Sequence, residues 1–164
     1  MTAVARHSQQ WVSSNGPVLL VASSGGHLLE LVQLLEVWPA DQRLWVTFDT
    51  ADARSLLQGE QVWFAHHPTN RSLKNLLRNL LLAFRLVRKV RPRAVVTTGA
   101  GVAVPFCYVA RLFGSRVVYV ESMARISQPS LTARLVYPIA TSFFVQWPEL
   151  QAKFNRARYE GQLF

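Results

Sequence analysis

The chain has 164 residues, half of them apolar, with a single cysteine and a formal net charge of +9. That length holds one domain with a substantial core and excludes two full-sized ones. A lone cysteine excludes an internal disulfide and fits a reducing compartment, while the charge points to phosphates, an anionic bilayer or an acidic partner without choosing among them.

Met1 to Gly16 is polar and aperiodic and reads as a disordered tail, which leaves 17–164 as a single domain. The tail lacks the apolar core of a secretory signal, and no later run reaches the roughly 18 apolar residues of a membrane span. The expected location is the cytoplasm. Short runs rich in Val, Phe and Leu predict strands at Val18–Ala22, Leu44–Phe48, Val62–Ala65, Ala94–Thr98, Val117–Val120 and Ser142–Gln146. Helices are predicted between and after them at Gly26–Val37, Ala51–Gln58, Ser72–Val90, Gly101–Phe113, Ser130–Tyr137 and Glu149–Phe154, with Asp49 and Ser72 as helix caps. The first, fourth and fifth strands are continuously apolar, as strands buried on both faces are, and belong at the sheet's centre. Strand and helix alternate throughout, so the expected fold is α/β: a Rossmann-like, doubly wound parallel sheet with right-handed crossovers. Cys107 lies inside the apolar run Val102 to Val109 and reads as a small buried hydrophobe.

Such sheets bind ligands outside the carboxyl ends of their strands, which singles out the loops after strands one, four and five. The first is Ser23-Ser24-Gly25-Gly26-His27, where adjacent glycines allow a sharp turn and close approach to an anion at a helix start. A tight turn without a ligand would look the same. His27 fits either a general base for a sugar hydroxyl or a histidine that hydrogen-bonds the helix start. The loop Thr97-Thr98-Gly99-Ala100-Gly101 repeats the design, and two such loops on neighbouring strands point to a diphosphate or sugar site. After strand five, Glu121-Ser122-Met123-Ala124-Arg125 brings a carboxylate and a guanidinium to the same edge. Glu121 is the only acid between Gln61 and Pro148, suited either to sugar hydroxyls or to pairing with Arg125. The first loop is not G-x-G-x-x-G, although Asp49 stands where a ribose-binding acid would be; no phosphate-binding P-loop motif occurs, and His66-His67 lacks further ligands at metal spacing. No metal site and no tightly bound cofactor are expected.

The segment Arg71 to Arg93 carries eight of the 18 lysines and arginines and no acid. At the helical repeat, Arg71, Lys74, Arg78, Arg85, Arg88 and Lys89 form one stripe, and Leu73, Leu76, Leu77, Leu80, Phe84 and Val87 lie opposite as the expected core face. Leu81, Leu82 and Leu86 then fall within or beside the basic stripe. A cationic face with leucines suits an anionic bilayer; the alternative is a solvated face whose leucines pack under neighbouring elements. Nucleic acid is not expected, because no recognition motif accompanies the charge.

The glycine loops above, Tyr119-Val120-Glu121-Ser122 with Arg125, and Val145-Gln146-Trp147-Pro148 followed by Tyr159-Glu160-Gly161 together resemble a known family from about Pro17 to Phe164. It is the Alg-fourteen family, the anchoring subunits of UDP-N-acetylglucosamine transferases acting on dolichol diphosphate, with bacterial exopolysaccharide relatives such as PssD and a distant single-chain relative, MurG. The resemblance implies the N-terminal, acceptor-binding half of a GT-B glycosyltransferase split over two chains. A separate GT-B C-terminal-type partner would bind the UDP-sugar, and the acceptor would be a polyprenyl-diphosphate-linked sugar of capsule or exopolysaccharide synthesis. It further implies His27 as catalytic base, with Ser24, Gly25, Gly26, Thr98, Gly99, Ala100, Gly101, Glu121, Ser122 and Arg125 about the acceptor diphosphate. Gln146, Trp147, Tyr159, Gly161 and Phe164 would meet the partner. Eukaryotic members begin with a hydrophobic anchor that is missing here, so attachment to the inner face of the plasma membrane would fall to the basic helix. The alternatives are a non-catalytic recruiting subunit and a stand-alone nucleotide-dependent Rossmann enzyme.

Overall fold

The computed structural model describes residues 16–69 and 72–163; the expected tail up to residue 15, Arg71 and Phe164 lie outside the described residues. Seven parallel strands form one sheet in the order β3-β2-β1-β4-β5-β6-β7, with β1 Val18–Val21, β2 Arg43–Phe48, β3 Val62–Ala65, β4 Ala94–Thr97, β5 Arg116–Val120, β6 Ser142–Val145 and β7 Ala157–Tyr159. β4 holds the middle, flanked by β1 and β5, as the apolar runs predict. Val18 to Val21 are fully buried because helices cover both of their faces. β1 is in register with both neighbours, Leu20 opposite Trp45 on one side and Val96 on the other.

Among the described residues six α-helices connect the strands: α1 Gly26–Val32, α2 Ala51–Leu56, α3 Leu73–Val90, α4 Ala103–Leu112, α5 Leu131–Val136 and α6 Pro148–Gln151. Two core clusters reveal which face each one covers. Leu28 and Leu31 of α1 and Ala53 of α2 pack on Leu20, Trp45 and Val96, whereas α3, α4 and α5 contribute Leu86, Phe106 and Val136 to a cluster around Leu19, Val46 and Tyr119. Crossovers of one hand require this division. The chain adds β2 and β3 in one direction, returns past β1 to β4, and continues the other way, so its helices change face at the β1/β4 boundary.

Four sequence expectations are corrected. β7 is absent from the predicted strands because it has three residues, two of them exposed on the sheet edge, and so no readable alternation. The first helix ends at Val32 and is followed by a short 3₁₀ turn, Leu35–Val37, and Asp49 is not a cap, since Thr50 occupies that position before α2. Ser72 does cap α3, its hydroxyl accepting from the Asn75 amide at 3.3 Å.

The fourth correction concerns α3. Its buried residues are Asn75, Asn79, Ala83, Leu86 and Val87, so of the expected core face only Val87 is buried, and Leu73, Leu76, Leu77, Leu80 and Phe84 are exposed instead. Leu82 packs partly against the core and does not join the exposed basic stripe, while Leu81 is exposed beside it. The two asparagines explain the rotation. Asn79 accepts from the His66 amide at 2.8 Å and donates to the His66 carbonyl at 2.9 Å, and Asn75 donates to the Pro68 carbonyl at 2.9 Å. These bonds hold the loop after β3 against the helix and bring Thr69 beside Gly101. Asn79→Ala removes both bonds to His66 and is expected to destabilise the fold by about 1–3 kcal/mol, read as a lower urea midpoint with unchanged slope.

Candidate functional site

The crevice at the β1/β4 boundary is closed by a reciprocal pair of bonds between the two glycine-bearing loops. His27, in the first turn of α1, places Nδ1 2.9 Å from the Thr98 carbonyl, and the Thr98 hydroxyl donates to the His27 carbonyl at 2.6 Å. A carbonyl only accepts, so Nδ1 carries the proton. In the neutral ring Nε2 then carries the lone pair, which is the state required of a base.

The loop beneath the ring is backbone-strained. Gly99 has φ 113° and Ala100 φ 68°, a region L side chains rarely enter. A Cβ at Gly99 would lie 3.0 Å from Tyr119 Oη and 3.4 Å from His27 Cε1. Only glycine therefore lets the loop pass between the tyrosine and the imidazole. At Gly101 a Cβ would meet Thr69 Oγ1 at 3.3 Å. The Thr97 hydroxyl, accepting from the Gly99 amide at 2.9 Å, holds the turn from below.

The first loop is arranged differently from a simple anion cradle. Gly25, with φ 78°, donates its amide to Asp52 Oδ2 at 2.9 Å, so an acid of α2 already occupies that position. Gly26 and Ser24 stay at the rim, and no Cβ contact would oppose a side chain at Gly25 or Gly26. Asp49, the residue placed to bind a ribose, is paired with Arg54 through bonds of 2.6 and 2.8 Å.

Glu121 is fully buried and does not pair with Arg125, which corrects both readings of it. Its carboxylate accepts from the Ser130 amide at 2.9 Å, the Ser122 amide at 3.1 Å, the Ser130 hydroxyl and the Tyr119 hydroxyl. Spent in this way, it ties the two ends of the 121–130 loop together and offers nothing to a sugar. Burial and the Glu121 charge push the Tyr119 phenol well above its usual pKa, so it acts as a neutral donor under Gly99. Arg125 is exposed on the loop's outer side, and Ser122 is turned inward. Cys107 is wholly buried with its thiol pushed up to about 12, in keeping with a packing role.

Gln146, expected at a partner interface, is 1% exposed and bonded internally, and Trp147 donates to the Met123 carbonyl at 2.7 Å. Tyr159 and Gly161 remain on the surface. Sequence reasoning missed Glu30, Asp52 and Thr69, and quoted Tyr119 within a motif without giving it a role. Of the three missed, only Glu30 had a readable signal, an acid one helical turn beyond His27.

The family model described as "Oligosaccharide biosynthesis protein Alg14 like" matches residues 65–163. A UDP-N-acetylglucosamine transferase subunit ALG14 from Eremothecium gossypii is 32% identical over 89% of this chain and 79% of its own length. The chain belongs to the Alg14 family. Subunits of the same description from Yarrowia lipolytica and Homo sapiens are 29% and 27% identical, covering 92% and 89% of the chain and 82% of their own lengths. Among solved structures, Acinetobacter baumannii MurG matches 82% of the chain with a TM-score of 0.65 and 21% identity. The UDP-GlcNAc 2-epimerase of Methanocaldococcus jannaschii matches 89% with a TM-score of 0.67 and 16% identity. The chain spans 42% and 45% of those two structures, which establishes the fold as the Rossmann-like half of GT-B-type proteins.

In this Alg14 family member the close contact at Gly99 is a direct test of the site's construction. Gly99→Ala is expected to lower stability by about 1–3 kcal/mol and to shift the His27 ring resonances in NMR, because the new methyl displaces the imidazole or the tyrosine. An unmoved His27 ring would mean that the loop has room the geometry denies.

Proposed function

We propose that this Alg14 family domain is the acceptor-binding subunit of a two-component sugar transferase, completing its active site when a donor-binding GT-B partner carrying the UDP-sugar closes over the β1/β4 edge. The observation that carries the reading is the Thr98–His27 bond, which leaves Nε2 as the lone-pair nitrogen at the ligand edge of the sheet. In the step this geometry suits, the acceptor hydroxyl gives its proton to His27 Nε2 while its oxygen attacks the anomeric carbon of the donor. The bond from that carbon to the diphosphate breaks, and UDP leaves with inversion. N-acetylglucosamine is the sugar favoured by the names of the relatives, and a polyprenyl-diphosphate saccharide is the acceptor class.

With the Gly25 amide engaged by Asp52, the acceptor diphosphate falls to the Thr98–Gly101 loop. Replacing His27 by Ala, in the presence of the partner, is expected to lower kcat by about 10²–10⁴-fold, the usual worth of a positioned general base. A variant with near-normal turnover would make the chain a recruiter and clamp without chemistry of its own.

The surface of α3 favours attachment to an anionic bilayer, at the inner face of the plasma membrane. Leu73, Leu76, Leu77, Leu80, Leu81 and Phe84 form one exposed arc, continued by Phe113, whose ring lies 5.6 Å from that of Phe84. Beside it run Lys74, Arg78, Arg85, Arg88 and Lys89, all exposed. Leucines that enter the acyl boundary beside cations that reach headgroups are the two components of interfacial binding. No described helix is long and apolar enough to cross a membrane. In sedimentation with phosphatidylserine-containing vesicles, the Leu77→Ser/Leu80→Ser pair and the Arg78→Glu/Arg85→Glu pair are each expected to weaken binding at least about tenfold. Leucine variants that sediment like the parent would assign that arc to another partner.

A further inference from the structure

Glu30 lies in α1, one helical turn beyond His27, and is 6% exposed. Burying a carboxylate at this depth is costly unless donors surround it. Here three neutral groups do so: the Ser122 hydroxyl at 2.7 Å, the Met123 amide at 3.2 Å and the Gln146 side-chain amide at 3.0 Å. Two donors come from the loop after β5 and one from the end of β6, so a single side chain joins three elements.

The Gln146 amide is fixed in its orientation. Its Nε2 also donates to the Glu121 carbonyl at 3.0 Å, and its Oε1 accepts from the Leu163 amide at 2.9 Å. Leu163 is itself buried against the α1 side of the sheet. The path from the His27 helix therefore runs through Glu30 and Gln146 to the C-terminal segment, and every bond along it has a defined donor and acceptor. The loop has a further fastening in the Trp147 bond to the Met123 carbonyl.

We propose that Glu30 is a positioning residue: its carboxylate holds the His27 helix against the 121–130 loop and, through Gln146, against the C-terminal segment, so that base and loop present one surface to a saccharide acceptor. The consequence for catalysis rests on the acceptor-site reading above, whereas the positioning itself does not. Glu30→Gln is nearly isosteric but replaces one of the two acceptor oxygens with an N–H, which must face either the Gln146 N–H or the Met123 N–H, so one of the two links is lost without opening a cavity. Glu30→Ala removes both acceptor oxygens at once and so severs both links.

Two readouts on the full chain decide the matter. In amide hydrogen exchange, Glu30→Gln is expected to speed Met123 or Leu163, according to which side the new N–H faces, and Glu30→Ala to speed both, about tenfold, while the Glu121-bound Ser130 amide keeps its protection. In transfer to a short-chain polyprenyl-diphosphate saccharide with the donor-binding partner present, Glu30→Gln is expected to lower kcat about a hundredfold, the scale of a small misplacement of a reacting group, with KM for the UDP-sugar unchanged. Exchange like the parent's, or faster exchange with unchanged kcat, overturns the proposal. If the single variant fails to fold, Ser122→Ala removes one donor from the loop side alone, and unaltered Met123 exchange together with parental kcat in that variant has the same meaning. A parent chain inactive with its partner would sink the acceptor-site reading and leave the exchange result to judge Glu30.

Discussion

The boundary between β1 and β4 governs the remainder of the molecule. A parallel sheet with right-handed crossovers cannot grow in both directions with its helices on one face, so α1 and α2 cover one side and α3 to α6 the other. The loops leaving β1 and β4 consequently diverge and open a crevice at the carboxyl edge. His27 and Thr98 bridge that crevice with two hydrogen bonds, one from the imidazole and one from the hydroxyl, which fix the ring and its tautomer together. Positive φ at Gly99 and Ala100 is retained where the bridge needs it, as backbone strain commonly is at sites that hold a side chain in one orientation.

Around this bridge lies a second layer of buried polar groups. Glu121 closes its own loop through Ser122 and Ser130, and Glu30 joins that loop to α1. Both carboxylates are surrounded by donors, which allows acids deep in a basic protein to order backbone and leaves neither exposed to a ligand. The net charge of +9 is concentrated elsewhere, chiefly on α3, whose exposed leucines and cations together suit the bilayer that the proposed lipid-linked acceptor inhabits.

Much of this was legible in the residues. Continuous apolar runs at Val18–Ala22, Ala94–Thr98 and Val117–Val120 marked the central strands, because only strands covered on both faces can be apolar along their length. The glycine loops were legible for the same reason, since backbone turns of that kind leave few alternatives. α3 was misread because periodicity ranks faces by hydrophobicity, and here the more polar face, with Asn75 and Asn79, turns inward to bind the loop after β3 while the leucines stay out. Glu121 and Gln146 were placed at surfaces because sequence spacing gives strand position but not depth. Asp52 was invisible, since its bond to Gly25 spans 27 residues and depends on the sheet bringing α2 beside the first loop.

The central claim, that an acceptor binds at the β1/β4 edge against the second glycine loop, is tested most directly by ¹⁵N NMR titration of the chain with a short-chain polyprenyl-diphosphate saccharide. The account predicts saturable shifts at the Thr98 to Gly101 amides and at His27 Nε2, with Nδ1 remaining protonated. Shifts confined to the amino edge of the sheet, or a His27 ring indifferent to saturating acceptor, would contradict it.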